Sequence, residues 1–121
     1  MTLLESIYIG SRFAVQEAVA RGEDPSMDNN SPVRIICEMG DHVVLKELLK
    51  SDCVDPSVND NYPIRVAASM EREVVVKVLL KDKRINYSDV MDCSYGKSSR
   101  IKEFIQRCKT ELRDEVIDSV F

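Results

Sequence analysis

Aliphatic residues in the middle of the chain come in two matching sets. Val43, Val44, Leu48 and Leu49 return thirty-one residues later as Val74, Val75, Leu79 and Leu80. The shared i, i+1, i+5, i+6 spacing predicts an apolar stripe on a helix. Before each set lies a shorter apolar segment, about 32–39 and 63–70, opened by Pro32 or Pro63. Proline suits the first helical turn, where its missing N–H costs nothing. Gly40-Asp41 and Glu71-Arg72 then predict tight turns between a first and a second helix.

The polar stretches repeat as well. Asp24-Pro25-Ser26 and Asp55-Pro56-Ser57 open non-helical connections, in which proline fixes φ and Asp and Ser bond locally to the backbone. The tips that follow, Asp28-Asn29-Asn30 and Asn59-Asp60-Asn61, consist of residues that tolerate left-handed backbone better than most. Between residues 24–54 and 55–85, thirteen positions are identical. Chance at ordinary composition gives about two. An internal repeat of helix–turn–helix units is therefore written into the chain, and it makes the fold class all-α. A helix of about eight residues is not stable alone in water, so the units must bury their stripes against one another.

The ends fit the same scheme. Thr2-Leu3-Leu4-Glu5 has the form of a capping box, and a short helix to about Ile9 offers Leu4, Ile7 and Tyr8 to one face. Gly10-Ser11 breaks it, a second helix spans 12–21, and Gly22 stops that one. Residues 1–23 thus read as an N-terminal capping half or short repeat. Residues 86–121 read as a degenerate repeat with a C-terminal capping helix or helix pair over about 99–119, N-capped by Ser98 or Ser99. Its stripe is Ile101, Phe104, Ile105, Cys108, Leu112 and Val116, while Ile117, Val120 and Phe121 drift off it. The whole, 1–121, is expected to be a single domain.

Composition narrows the function. No apolar run reaches the ~18 to 20 residues of a membrane span. Glu5 interrupts the N-terminal apolar stretch and no basic lead precedes it, so a signal peptide is not expected. Cys37, Cys53, Cys93 and Cys108 form no CxxC pair and no spaced Cys/His set. Reduced thiols in the cytoplasm or nucleus are the expectation. The net charge of −4 opposes general nucleic-acid binding. Residues 1–60 carry −6 and residues 61–121 carry +2, a polarity able to orient a partner or a second copy.

Catalytic chemistry is not evident. His42 is the only histidine, and Cys37, five residues before it, is poorly placed to share its helix face. Cys37 also occupies the slot that Ala68 fills one repeat later, a position suited to packing. Four scattered glycines build no phosphate cradle. A non-enzyme without cofactor, metal or small-molecule substrate is expected.

Tyr62-Pro63-Ile64-Arg65-Val66-Ala67-Ala68, followed by Val75-Val76-Lys77-Val78-Leu79-Leu80, resembles the ankyrin pattern TPLHxAA…VVxxLL. Ser31-Pro32-Val33-Arg34 with Gly40, Val44, Leu48 and Leu49 fits the same frame. The chain is similar in particular to the short-period ankyrin-like arrays common in large DNA viruses and some microbes. Arg34 and Arg65 stand where the family carries histidine, so its loop-bracing bonds must be made differently. Asn29 and Asp60 replace the tip glycine, Glu71 replaces the mid-repeat glycine, and the period falls short of the family's ~33 residues. A solenoid with short hairpin-like tips is what the resemblance implies.

The resemblance also implies a protein-binding concave face. Carried onto this chain, that face comprises Asn29, Asn30, Asn61 and Tyr62 at the tips with Glu38, Met39, Ser69 and Met70 on the first helices. Met39 and Met70 suit a partner surface or the core, the latter being the commoner use of a repeated apolar residue. Tyr62 is equally a tip anchor or a packed substitute for threonine. Regulation of a protein partner by occlusion or scaffolding is the leading expectation. Self-assembly is the alternative, followed by nucleic-acid binding through Lys97, Arg100, Lys102, Arg107, Lys109 and Arg113, whose bases alternate with acids around the helix.

Overall fold

A computed structural model describes residues 1–86, 103–108, 110 and 111, and among them it is helical with no strand. Up to residue 86, six helices follow in order: α1 Leu3–Ile9, α2 Arg12–Ala20, α3 Met27–Met39, α4 His42–Leu49, α5 Val58–Ser69 and α6 Glu73–Lys81. They pair as hairpins α1–α2, α3–α4 and α5–α6. The first helices pack α1 on α3 on α5, and the second helices α2 on α4 on α6, so two rows enclose one core.

The local chemistry explains the boundaries. Thr2 Oγ1 accepts from the backbone N–H of Glu5 at 3.2 Å, and Ser11 Oγ does the same for Ala14 at 3.2 Å. Asp41 caps α4 by accepting from Val43 and Val44, each at 3.1 Å. Every hairpin turn contains one left-handed residue: Gly10 at φ 78°, Gly40 at φ 79° and, in the third, Glu71 at φ 56°. The third turn keeps its shape without glycine, against the usual cost of a Cβ in that region.

The stripe is rotated from its expected position. Val44, Leu45 and Leu48 are buried and Leu49 partly so, whereas Val43 is 43% exposed. In α6, Val75, Val76, Leu79 and Leu80 are buried and Val74 is 50% exposed. At about 100° per residue, the set 43, 44, 48, 49 spans some 240° of the helix. The set 44, 45, 48, 49 spans only about 140°, a face that one neighbour can cover. In α1 the buried residues are Leu3, Ser6 and Ile7, and Tyr8 is exposed rather than packed. Ser6 tolerates burial because its hydroxyl donates to Thr2 O at 2.9 Å.

The segment 103–108 is helical and closes the core at the α6 end. Ile105 and Cys108 are buried and Phe104 packs beside them. Lys77 of α6 meets Glu111 at 2.5 Å, and Arg107 reaches Glu73 at 3.8 Å. The other capping-helix residues expected here, including Ser98, Ser99, Ile101, Leu112, Val116, Ile117, Val120 and Phe121, lie outside the described residues.

Candidate protein-binding surface

Each tip starts from an aspartate that folds the backbone onto itself. Asp24 Oδ1 accepts from Ser26 N at 2.9 Å and Ser26 Oγ at 2.6 Å; Asp55 makes the same pair with Ser57 at 2.9 and 2.6 Å. These bonds hold the Asp24 carboxyl below its usual pKa. Three consecutive left-handed residues come next. Asp28, Asn29 and Asn30 have φ of 51°, 54° and 60°, and Asn59, Asp60 and Asn61 have 53°, 53° and 61°. The tips are single left-handed turns at the starts of α3 and α5, whose right-handed parts begin only after Asn30 and Asn61, not the hairpin-like tips expected. Asn and Asp are the non-glycine residues best able to adopt such a turn.

Arginine braces this conformation. Arg34 Nε donates to Asn29 O at 3.1 Å and its Nη2 to Asp28 O at 2.8 Å. Arg65 repeats the arrangement on Asp60 O and Asn59 O at 3.1 and 2.9 Å. A left-handed turn points successive carbonyls to one side, and the fixed fork of a guanidinium can bind two of them at once. The residue that departs from the histidine of the resembled pattern therefore supplies the brace.

Four of the expected site residues connect neighbouring hairpins. The Asn29 side-chain amide donates to Asn59 Oδ1 at 3.0 Å, joining tip to tip. Asn30 is buried, and its Oδ1 accepts from the backbone N–H of Asp55 at 2.8 Å. The Tyr62 hydroxyl donates to the Glu38 carboxylate, a bond that raises the tyrosine pKa, and the Arg65 guanidinium lies 5.8 Å from its ring centroid.

The remaining residues divide by exposure. Met39 and Met70 are exposed, as are Ser69 and Glu38. Tyr62 is half-buried. Asn30 and Asn61, expected as binding residues, are buried and removed from partner contact. The Asn30 amide turns inward to the next hairpin, whereas the buried Asn61 Oδ1 meets no hydrogen-bond donor among the described residues. Asn59 and Arg72 carry no site signal in the sequence, because their roles depend on the adjacent hairpin. Arg72 lies across Gly40, where a Cβ would come within 2.7 Å of its Cδ, and its Nη2 approaches Glu38 O at 3.4 Å.

Other chemistry is placed too. Cys37 is fully buried, and burial raises its thiol pKa far above the ordinary range. Among the described residues no three His, Cys, Asp or Glu side chains gather as a metal set, and no helix is long and apolar enough to cross a membrane. Of the six bases in the nucleic-acid reading, Arg107 is described; it pairs with Glu73 and covers the Phe104 ring at 5.2 Å. Lys97, Arg100, Lys102, Lys109 and Arg113 fall outside the described residues. A groove of about 410 Å³ runs between α4 and α6, lined in part by Lys46, Lys50 and Lys77 over Leu49 and Val78. Lys50 is paired with Glu47, and Lys77 with Glu73 and Glu111.

No family model matches the chain, and neither a curated protein nor a solved structure matches it significantly.

Proposed function

We propose that this chain is an ankyrin-like solenoid that binds another protein and regulates it by occlusion or scaffolding. The binding strip runs from Asn29 at the tips, along the first helices, through Glu38, Met39, Tyr62, Ser69 and Met70. The observation that carries the reading is the cross-bracing of this strip. Asn29–Asn59 and Glu38–Tyr62 bonds join adjacent hairpins while Met39 and Met70 stay exposed at equivalent positions.

A surface fixed before binding loses less conformational entropy on association than a mobile one. Methionine adds apolar contact that adapts to the partner, and the surrounding amides and carboxylate give orientation. Asn30 and Asn61 are buried and take no part; the Asn30 bond to the Asp55 N–H ties one hairpin to the next.

Affinity purification from the native cell, followed by direct titration of the recovered protein, tests the reading. Asn29→Arg with Tyr62→Ala and Ser69→Arg is expected to abolish the interaction while the far-UV circular dichroism stays unchanged. A partner that binds the folded triple variant as tightly as the parent would exclude this strip.

A further inference from the structure

Among the described residues large apolar side chains are exposed at only a few places, and the places are not random. Apart from Met1, those among the described residues flank the turns between first and second helices. Ile9 and Met39 end α1 and α3 and Met70 is the C-cap of α5, each immediately before the left-handed turn residue. Phe13, Val43 and Val74 each sit at the second position of the following helix. Exposure is 63, 39 and 47% in the first row and 66, 43 and 50% in the second.

The rows must be neighbours in space. Equivalent helices of successive hairpins are in contact, and the turns touch: a Cβ on Gly10 would lie 3.0 Å from Asp41, and one on Gly40 2.7 Å from Arg72. Together with Tyr8, also exposed, the six side chains leave on the order of 700 Å² of apolar residue surface open. That is close to the ~800 Å² that each partner contributes to a stable interface.

We infer that this ridge is the interface of a closed dimer with a second copy of the chain. A two-fold axis through the middle hairpin runs the copies antiparallel, so Met39 and Val43 meet their own counterparts. Ile9 and Phe13 of one copy then face Met70 and Val74 of the other. The flanking row has the charges this register needs. Arg12, His42 and Glu73 are equivalent positions, one residue before Phe13, Val43 and Val74. The two-fold sets Arg12 of each copy beside Glu73 of the other, where Glu73 is 42% exposed and still able to take another cation beside Lys77 and Arg107. This goes beyond the binding strip proposed above and shares only Met39 and Met70 with it, so the partner and the second copy compete for those two side chains.

Sedimentation equilibrium of the full chain, from about 1 μM to about 1 mM, tests the inference. A monomer–dimer equilibrium is expected. Val43→Glu with Val74→Glu should raise its dissociation constant by ~100-fold or more, because two carboxylates per copy enter a desolvated apolar centre. Phe13→Ser, at the most exposed position of the ridge, gives a second measure if the double variant loses its helical dichroism. Arg12→Glu should weaken the dimer, and the double variant Arg12→Glu with Glu73→Arg should recover most of the loss, which fixes the register. A monomer throughout the range overturns the proposal. So does an assembly larger than two, or a dimer indifferent to Val43→Glu/Val74→Glu and Phe13→Ser. None of these substitutions touches Asn29, Tyr62 or Ser69, so partner binding and dimer formation fail separately.

Discussion

Arg84 Nη2 lies 2.6 Å from the carbonyl oxygen of Leu49, thirty-five residues earlier in the chain. Its Nη1 donates to Ser51 O at 2.9 Å and Val54 O at 2.8 Å. Asp82 grips the other side of the guanidinium at 2.8 and 2.7 Å. One side chain thus satisfies the carbonyls left over where α4 ends, and ties the third hairpin to the second.

Arg84→Ala should cost about 2–3 kcal/mol, since charge-assisted bonds to partly buried carbonyls are lost together. Arg84→Lys should recover little, because an ammonium cannot span three carbonyls and a carboxylate in one plane. Urea denaturation followed by circular dichroism measures both.

The Arg84 bonds hold the Asp82 carboxyl below its usual pKa. The unfolded chain, with an aspartate near ~3.9, therefore takes up the proton first as pH falls. The stabilisation is whole above about pH 4 and fades as pH drops through the lower folded value. Melting temperatures of the parent and Asp82→Asn should differ at pH 6 to 7 and converge toward pH 2; a constant gap would assign no linkage to Asp82.

Asn30→Ala removes the acceptor for Asp55 N–H and places a Cβ without a polar group in left-handed backbone. A loss of about 2 kcal/mol is expected. Asn30→Asp keeps the acceptor oxygen and should be milder. Hydrogen exchange at the Asp55 amide should accelerate in the alanine variant alone.

Glu71 and Gly40 are equivalent turn residues with opposite expectations. Glu71→Gly relieves the left-handed strain and should stabilise by about 0.5–1 kcal/mol. Gly40→Ala introduces that strain and drives a Cβ into Arg72, so a loss of 1–2 kcal/mol or more is expected. Thermal denaturation of both in one buffer separates them by sign.

Thiol labelling reports core integrity. Cys53 is exposed, whereas Cys37 and Cys108 are buried. Cys53 should react within the first phase, and Cys37 and Cys108 only on opening of the fold. Mass spectrometry of digested, labelled protein distinguishes the sites.

The amino-acid sequence by itself determined the helical hairpin as the unit, its thirty-one-residue spacing and the turn chemistry. Those are local properties: Pro32 and Pro63 start helices, Asp24 and Asp55 fold their own backbone, and Asn-rich tips accept left-handed φ wherever they stand. Only the tertiary structure decided which side of each helix is buried and which tip residues remain on the surface. Val43 matches Val74 in identity, yet both face outward, while the unlike pair Leu45 and Val76 is buried. A run of adjacent aliphatics fits two helix rotations about equally, and the neighbouring hairpin selects the one it can cover. Asn30, Tyr62 and Arg84 likewise have roles set by atoms more than twenty residues away. No local rule reaches that far, because hydrogen-bond partners across hairpins are fixed only when the hairpins pack.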